Sequence, residues 1–113
     1  MNITNLSNIE FKPYNRNNLK VAGLNWHVIS YDNKTSMGTY ILEYKPGAKT
    51  PEHTHMGYEE FLILEGELIN SCGKTFTKNM FVSYKPNTKH YTYSITGCKV
   101  LVFSRGENKT SKL

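Results

Sequence analysis

Gly47-Ala48-Lys49-Thr50-Pro51-Glu52-His53-Thr54-His55-Met56-Gly57-Tyr58-Glu59 is the stretch whose reading decides the fold of this 113-residue chain. In an extended strand successive side chains alternate faces, so His53 and His55 project the same way and can reach one ion from a single backbone segment. Met56-Gly57 turns the chain, and Glu59 returns a carboxylate toward the same place. His90 answers from downstream. A pair of histidines on a strand is ordinary surface; the added Glu59 and His90 make His53, His55, Glu59 and His90 a candidate site for one divalent transition metal ion per chain. Imidazole and carboxylate suit iron, manganese, nickel, copper and zinc, whereas a closed structural zinc site would call for thiolates. Four protein ligands on an octahedral ion leave positions open for water, dioxygen or a chelating substrate.

Outward from this stretch the pattern is short strands separated by turn residues, with no convincing amphipathic helix. Val21 to Tyr31, Gly38 to Tyr44, Glu59 to Leu64, Glu67 to Asn70, Phe81 to Tyr84, Tyr91 to Tyr93 and Val100 to Phe103 read as strands from their β-branched and aromatic content. Pro46-Gly47, Cys72-Gly73, Pro86-Asn87 and Thr96-Gly97 supply breakers. An all-β sandwich or barrel follows. Residues 1–20 read as a polar N-terminal arm, 21–103 as a single barrel and 104–113 as a solvated tail.

Strand parity adds detail. If Glu59 points inward, Phe61 and Ile63 follow it while Leu62 and Leu64 face out, so that strand is apolar on both faces. Such an outer face needs cover, from the N-terminal arm or from a second copy in a homodimer. Thr92 and Ser94 fall on the side of His90, with Tyr91 and Tyr93 opposed. Tyr40, Leu42 and Tyr44 share one face of their strand, and either face could line the pocket. Tyr44 and Tyr84 read as packing residues whose phenols need partners. His27, beside Trp26 in an apolar strand, reads as structural.

The spacing carries a resemblance. Gly47, His53-x-His55, Glu59 and Gly66 stand at the intervals of the first motif of the cupin superfamily. Asn79 to His90 is similar to the second motif, with Asn79 and Asn87 where the family usually has glycine, Lys85 where it has proline and Ser94 where it often has asparagine. Asparagine tolerates a left-handed backbone best among ordinary residues, so both turns can form. Glu59 to Glu67 and Ser94 to Val102 are similar to the small cupins typified by the cupin domain of ChrR-type anti-sigma factors, a resemblance spanning about residues 38–103. It implies a double-stranded β-helix, or jelly-roll barrel, that binds metal, and it leaves the reaction open.

Three functions remain. The first is a non-haem, metal-dependent dioxygenase acting on a small chelating substrate. The second is a redox-neutral isomerase or lyase using the metal as a Lewis acid. The third is a non-catalytic zinc-binding sensor of the ChrR type.

A net charge of +5 comes from scattered lysines, which argues for a solvated surface and against nucleic acid. No apolar run approaches membrane-spanning length. Two cysteines, Cys72 in a hairpin and Cys98 opening an apolar strand, make no disulfide framework, and Met1 to Asn5 lacks secretory features. The cytoplasm is the default compartment. Ser111-Lys112-Leu113 matches a peroxisomal import signal, which would matter only in a eukaryote.

Overall fold

The strand that organises the fold is β5, Glu59–Asn70, in the computed structural model, which describes residues 1–110. Ser111-Lys112-Leu113 lies outside the described residues. One edge of β5 pairs antiparallel with β10 (Cys98–Arg105) and, at its far end, with β9 (Thr92–Tyr93); the other pairs with β6 (Thr75–Thr77) and β7 (Phe81–Tyr84). Beyond β10 the sheet continues through β3 (Met37–Tyr44) and β2 (Leu24–Val28) to β1 (Lys12–Pro13). A second, three-stranded sheet runs β11 (Asn108–Thr110), β4 (His53–His55), β8 (Lys89–His90). The chain is thus all-β, with a curled sheet of the cupin type. Its one helical element among the described residues is a 3-10 turn at Arg16–Asn18. No helix is long and apolar enough to cross a membrane.

Alternation of burial follows the pleat. On β5, Glu59, Phe61 and Ile63 are buried, and on β10, Val100 and Val102 lie opposite Ile63 and Phe61. Tyr40, Leu42 and Tyr44 are the face of β3 that joins this core. Ile41, on the opposite face, is also fully buried, and Phe11 of the N-terminal segment reaches the neighbouring outer face at Lys99.

The register between β5 and β10 slips between Lys99 and Val100: Lys99 pairs with Glu65, Val100 with Ile63, and Leu64 is the extra residue of a β-bulge. The consequence is a change of parity. Odd-numbered residues face inward before the bulge; Leu68 and Asn70 face inward after it. The two strands read from sequence are one strand re-aimed in the middle. Gly66 sits at this point with φ of 78°, and a Cβ there would stand 2.2 Å from the Gly97 carbonyl.

Asn79 and Asn87 have φ of 74° and 68°, so both asparagines carry left-handed turns. The segments outside 21–103 contribute more than an arm and a tail. β1 pairs with β2, Tyr14 and Arg16 are buried, and residues 108–110 pair with β4 as β11. Asn108-Lys109-Thr110 carries no apolar signal; its pairing is backbone hydrogen bonding to the edge of β4, with Lys109 and Thr110 exposed.

Candidate metal centre

His53 and His90 are register partners across β4 and β8. The backbone of His55 is held from both sides: its N–H donates to Thr88 O at 2.9 Å, and Asn87 N–H donates to its carbonyl at 2.6 Å. Three rings therefore converge, with centroids 4.9, 4.6 and 4.7 Å apart. Their ligand nitrogens all lie within 4.8 Å of one another. His55 and His90 are 1% and 5% exposed.

The tautomers are fixed by what stands behind each ring. His53 Nδ1 donates to Pro51 O at 2.9 Å, His90 Nδ1 to Asn70 Oδ1 at 2.7 Å, and His55 Nδ1 lies 3.3 Å from the acceptor-only Glu59 Oε2. With the proton on Nδ1, His53 and His90 each keep an Nε2 lone pair. His55 Nε2 lies 2.6 Å from His90 Nε2, and its Nδ1 stands between Glu59 Oε2 at 3.3 Å and the Asn108 amide nitrogen at 3.2 Å. Imidazole nitrogens gathered this closely can share one divalent cation. The donor set therefore fits a borderline first-row ion.

Glu59 stands apart from this cluster. Its Oε2 is 3.3 Å from Arg16 Nη1 as well as from His55 Nδ1. Asn108 closes the group: with its amide oriented by its neighbours, its oxygen accepts from Arg16 Nη1 and its nitrogen donates to Glu59 Oε2, each at 3.2 Å. Three of the four expected ligands thus come together, and the fourth carries an ion pair beside them.

Electrostatics follow from burial. Burial pushes the Glu59 carboxyl up, but the hydrogen bond at His55 and the Arg16 guanidinium outweigh it and hold the carboxyl at about 2. Burial, then the neighbouring imidazoles, holds His90 down to about 3, and burial also lowers His53. Neutral imidazole is the form a metal needs. Burial raises the phenols of Tyr40, Tyr44 and Tyr84, which stay protonated.

Tyr84 stacks on His55, with ring planes 10° apart, and donates to Asn70 Oδ1 at 2.7 Å; Tyr44 pairs with Thr92 Oγ1 at 2.6 Å. Both are wall residues. His27 is remote from the cluster, its Nδ1 donating to Glu10 O at 2.9 Å. A cavity of about 170 Å3 opens above the cluster, lined by Tyr14, Leu19, Leu24, Thr50, His53 and Asn108 among others. A smaller internal void of about 40 Å3 reaches His53, Glu59 and His90 from the core side.

Sequence reasoning missed Arg16, Asn70 and Asn108. Arg16, one of only two arginines, could have been suspected beside the aromatic Tyr14. Asn70 was hidden by the bulge, and nothing in the sequence marks Asn108.

The family model of the ChrR Cupin-like domain matches residues 3–107. No curated protein matches by sequence. Among solved structures, an acetylacetone dioxygenase from Acinetobacter johnsonii superposes with a TM-score of 0.83 at 16% identity, covering 99% of this chain and 78% of that one. The polyketide cyclase RemF of Streptomyces resistomycificus gives 0.79 at 15%, covering 100% and 87%. The anti-sigma ChrR in complex with SigE from Rhodobacter sphaeroides gives 0.66 at 16%, covering 88% and 50%. At these identities the likeness shows the shared fold.

Proposed function

From the premise that this chain belongs to the ChrR Cupin-like domain family, we propose that it is a metal-binding small cupin acting as a non-haem dioxygenase on a small chelating substrate. The observation that carries this reading is the cluster of three imidazoles whose ligand nitrogens lie within 4.8 Å of one another, with His53 lining a cavity of about 170 Å3. His53, His55 and His90 would hold the ion, with Glu59 as the carboxylate beside them. A divalent first-row ion would supply there a Lewis-acid centre with open positions and, as iron, a redox-active centre for dioxygen, with the chelated substrate as the source of the electrons.

The chain's own residues do the rest. Tyr14, Leu19 and Leu24 exclude water from a substrate seated over His53, while Thr50 and Asn108 offer hydrogen bonds that orient it. Phe61 and Leu68 keep the core side of the site dry. The cavity suits a compact molecule with two oxygen donors. The acetylacetone dioxygenase likeness supports that choice and makes acetylacetone a first probe. The protein would work in the cytoplasm as a homodimer, its outer face around Phe81 and Phe103, whose rings lie 6.2 Å apart, covered by a second copy.

One observation favours a zinc-holding sensor as the second reading. The exposed Cys72 Sγ accepts from Asn70 Nδ2 at 2.9 Å, and the same amide holds His90 by its oxygen. Modification at the thiol would thereby reach the cluster.

Oxygen uptake separates the two. Apoprotein reconstituted anaerobically with Fe2+ or Zn2+ is presented with acetylacetone and other small dicarbonyls in air-saturated buffer. Repeated turnover with iron, absent with zinc and in His55→Ala, is the result expected. Absence of uptake with either metal, while both bind, would overturn the dioxygenase in favour of the sensor.

A further inference from the structure

Arg16 is 2% exposed and comes from outside the barrel, on the 3-10 turn of the N-terminal segment. All of its N–H donors have acceptors. Nε donates to Tyr31 OH at 3.0 Å, Nη1 to Tyr40 OH at 3.0 Å and toward Glu59 Oε2 at 3.3 Å, and Nη2 to Ser104 Oγ at 2.9 Å and Gly106 O at 2.8 Å. Those partners lie in the loop between β2 and β3, on β3, β5 and β10 and in the turn before β11, so the guanidinium cannot shift without breaking bonds to several elements at once. Among the described residues its one anionic partner is Glu59.

The geometry points to Arg16 as a positioning residue that holds the Glu59 carboxylate off the ion and thereby keeps a three-imidazole site. This inference rests on the reading above, that His53, His55 and His90 bind the metal. Glu59 follows His55 by four residues and faces the same internal void as His53 and His90, close enough for a rotated carboxylate to compete for the ion. Rotation would abandon Arg16 in a buried site with an uncompensated charge, which is strongly unfavourable. Asn108 adds a second restraint on the same oxygen.

The chemical effect is twofold. Arg16 and Glu59 cancel each other's charge, so a divalent ion on three neutral imidazoles keeps its full double positive charge and selects an anionic chelator. An octahedral ion with three protein ligands also offers three positions, where a fourth ligand would leave two. Two donors of a chelator and one further small molecule need three.

The test is titration of anaerobic apoprotein with Co2+, reading affinity by chelator competition and coordination by the visible d–d bands. With Arg16 in place, Glu59→Gln should leave the bands unchanged, because a neutral amide oxygen still accepts from His55 Nδ1, while the affinity falls as the unpaired guanidinium repels the ion. In Arg16→Gln the freed carboxylate should join the ion, shifting the bands and tightening binding about tenfold or more. The double variant Arg16→Gln/Glu59→Gln should lose that gain.

A band shift in Glu59→Gln alone would make Glu59 a resident ligand and overturn the inference. So would a folded Arg16→Gln with wild-type bands and affinity. Should Arg16→Gln not fold, the Glu59→Gln comparison decides alone. A wild type that takes up no Co2+, or a His53→Ala that takes it up equally, refutes the three-histidine site itself and not the role of Arg16.

Discussion

Asn70→Leu isolates the hydrogen bond behind His90, because leucine keeps the branched heavy-atom shape of asparagine and removes its acceptor. Asn70 is 7% exposed, and its Oδ1 accepts from both His90 Nδ1 and Tyr84 OH at 2.7 Å. Each buried donor left without a partner costs about 1–3 kcal/mol. Tyr84 is partly exposed and recovers water, so the loss of stability should be about 2 kcal/mol, most of it from His90. The metal feels a second effect. Without its acceptor, His90 is no longer committed to the tautomer that leaves Nε2 free, and losing such a partner typically weakens metal affinity about 10–100-fold. The assay is competition for Zn2+ against a chromophoric chelator at pH 7.5, with urea unfolding of the apoprotein alongside. Asn70→Asp restores the acceptor as a carboxylate and should bind at least as tightly as wild type. Wild-type affinity in a folded Asn70→Leu would refute the claim that this bond sets the tautomer.

Acid should destabilise the apoprotein in two stages. His90 is held at about 3 when folded against 6.5 in its ordinary state, so the unfolded chain binds the extra proton and stability falls as pH drops from 6.5 toward 3. Between pH 7 and 5 this amounts to about 1–2 kcal/mol after allowance for partial exposure, with His53 shifted in the same direction. Glu59, held at about 2, adds stability above 4.5 that disappears as pH falls through 2. Equal urea midpoints for apoprotein at pH 7 and 5 would contradict the buried neutral imidazoles. Gly66→Ala should cost roughly 2–4 kcal/mol, combining left-handed strain with the collision at Gly97 O. It should also weaken metal binding, since the bulge it disturbs points Asn70 at His90; unchanged thermal stability would refute the packing argument.

How much of this was legible depends on distance along the chain. His53, His55 and the turn to Glu59 are local, so alternation placed them correctly, and the same parity brought Phe61 and Ile63 inward and set Thr92 and Ser94 beside His90. The left-handed turns at Asn79 and Asn87 were readable because residue chemistry alone decides them. Asn70 was not readable: strict alternation from Glu59 sends it outward, and only the bulge at Leu64 reverses that. Arg16 and Asn108 are 43 and 49 residues from Glu59, and chain ends with a polar composition give no pattern that reports a partner. The spacing that makes Glu59 a candidate ligand contains no information about a guanidinium arriving from a distant segment.

The central claim is that three histidines hold one transition metal ion. Elemental analysis of protein purified anaerobically without chelator tests it most directly, with wild type beside His53→Ala, His55→Ala and His90→Ala. About one divalent first-row ion per chain in wild type, with less than a tenth of that in each folded variant, is the result predicted here. Full metal content in the variants, or a wild type that neither carries nor takes up such an ion, would contradict it.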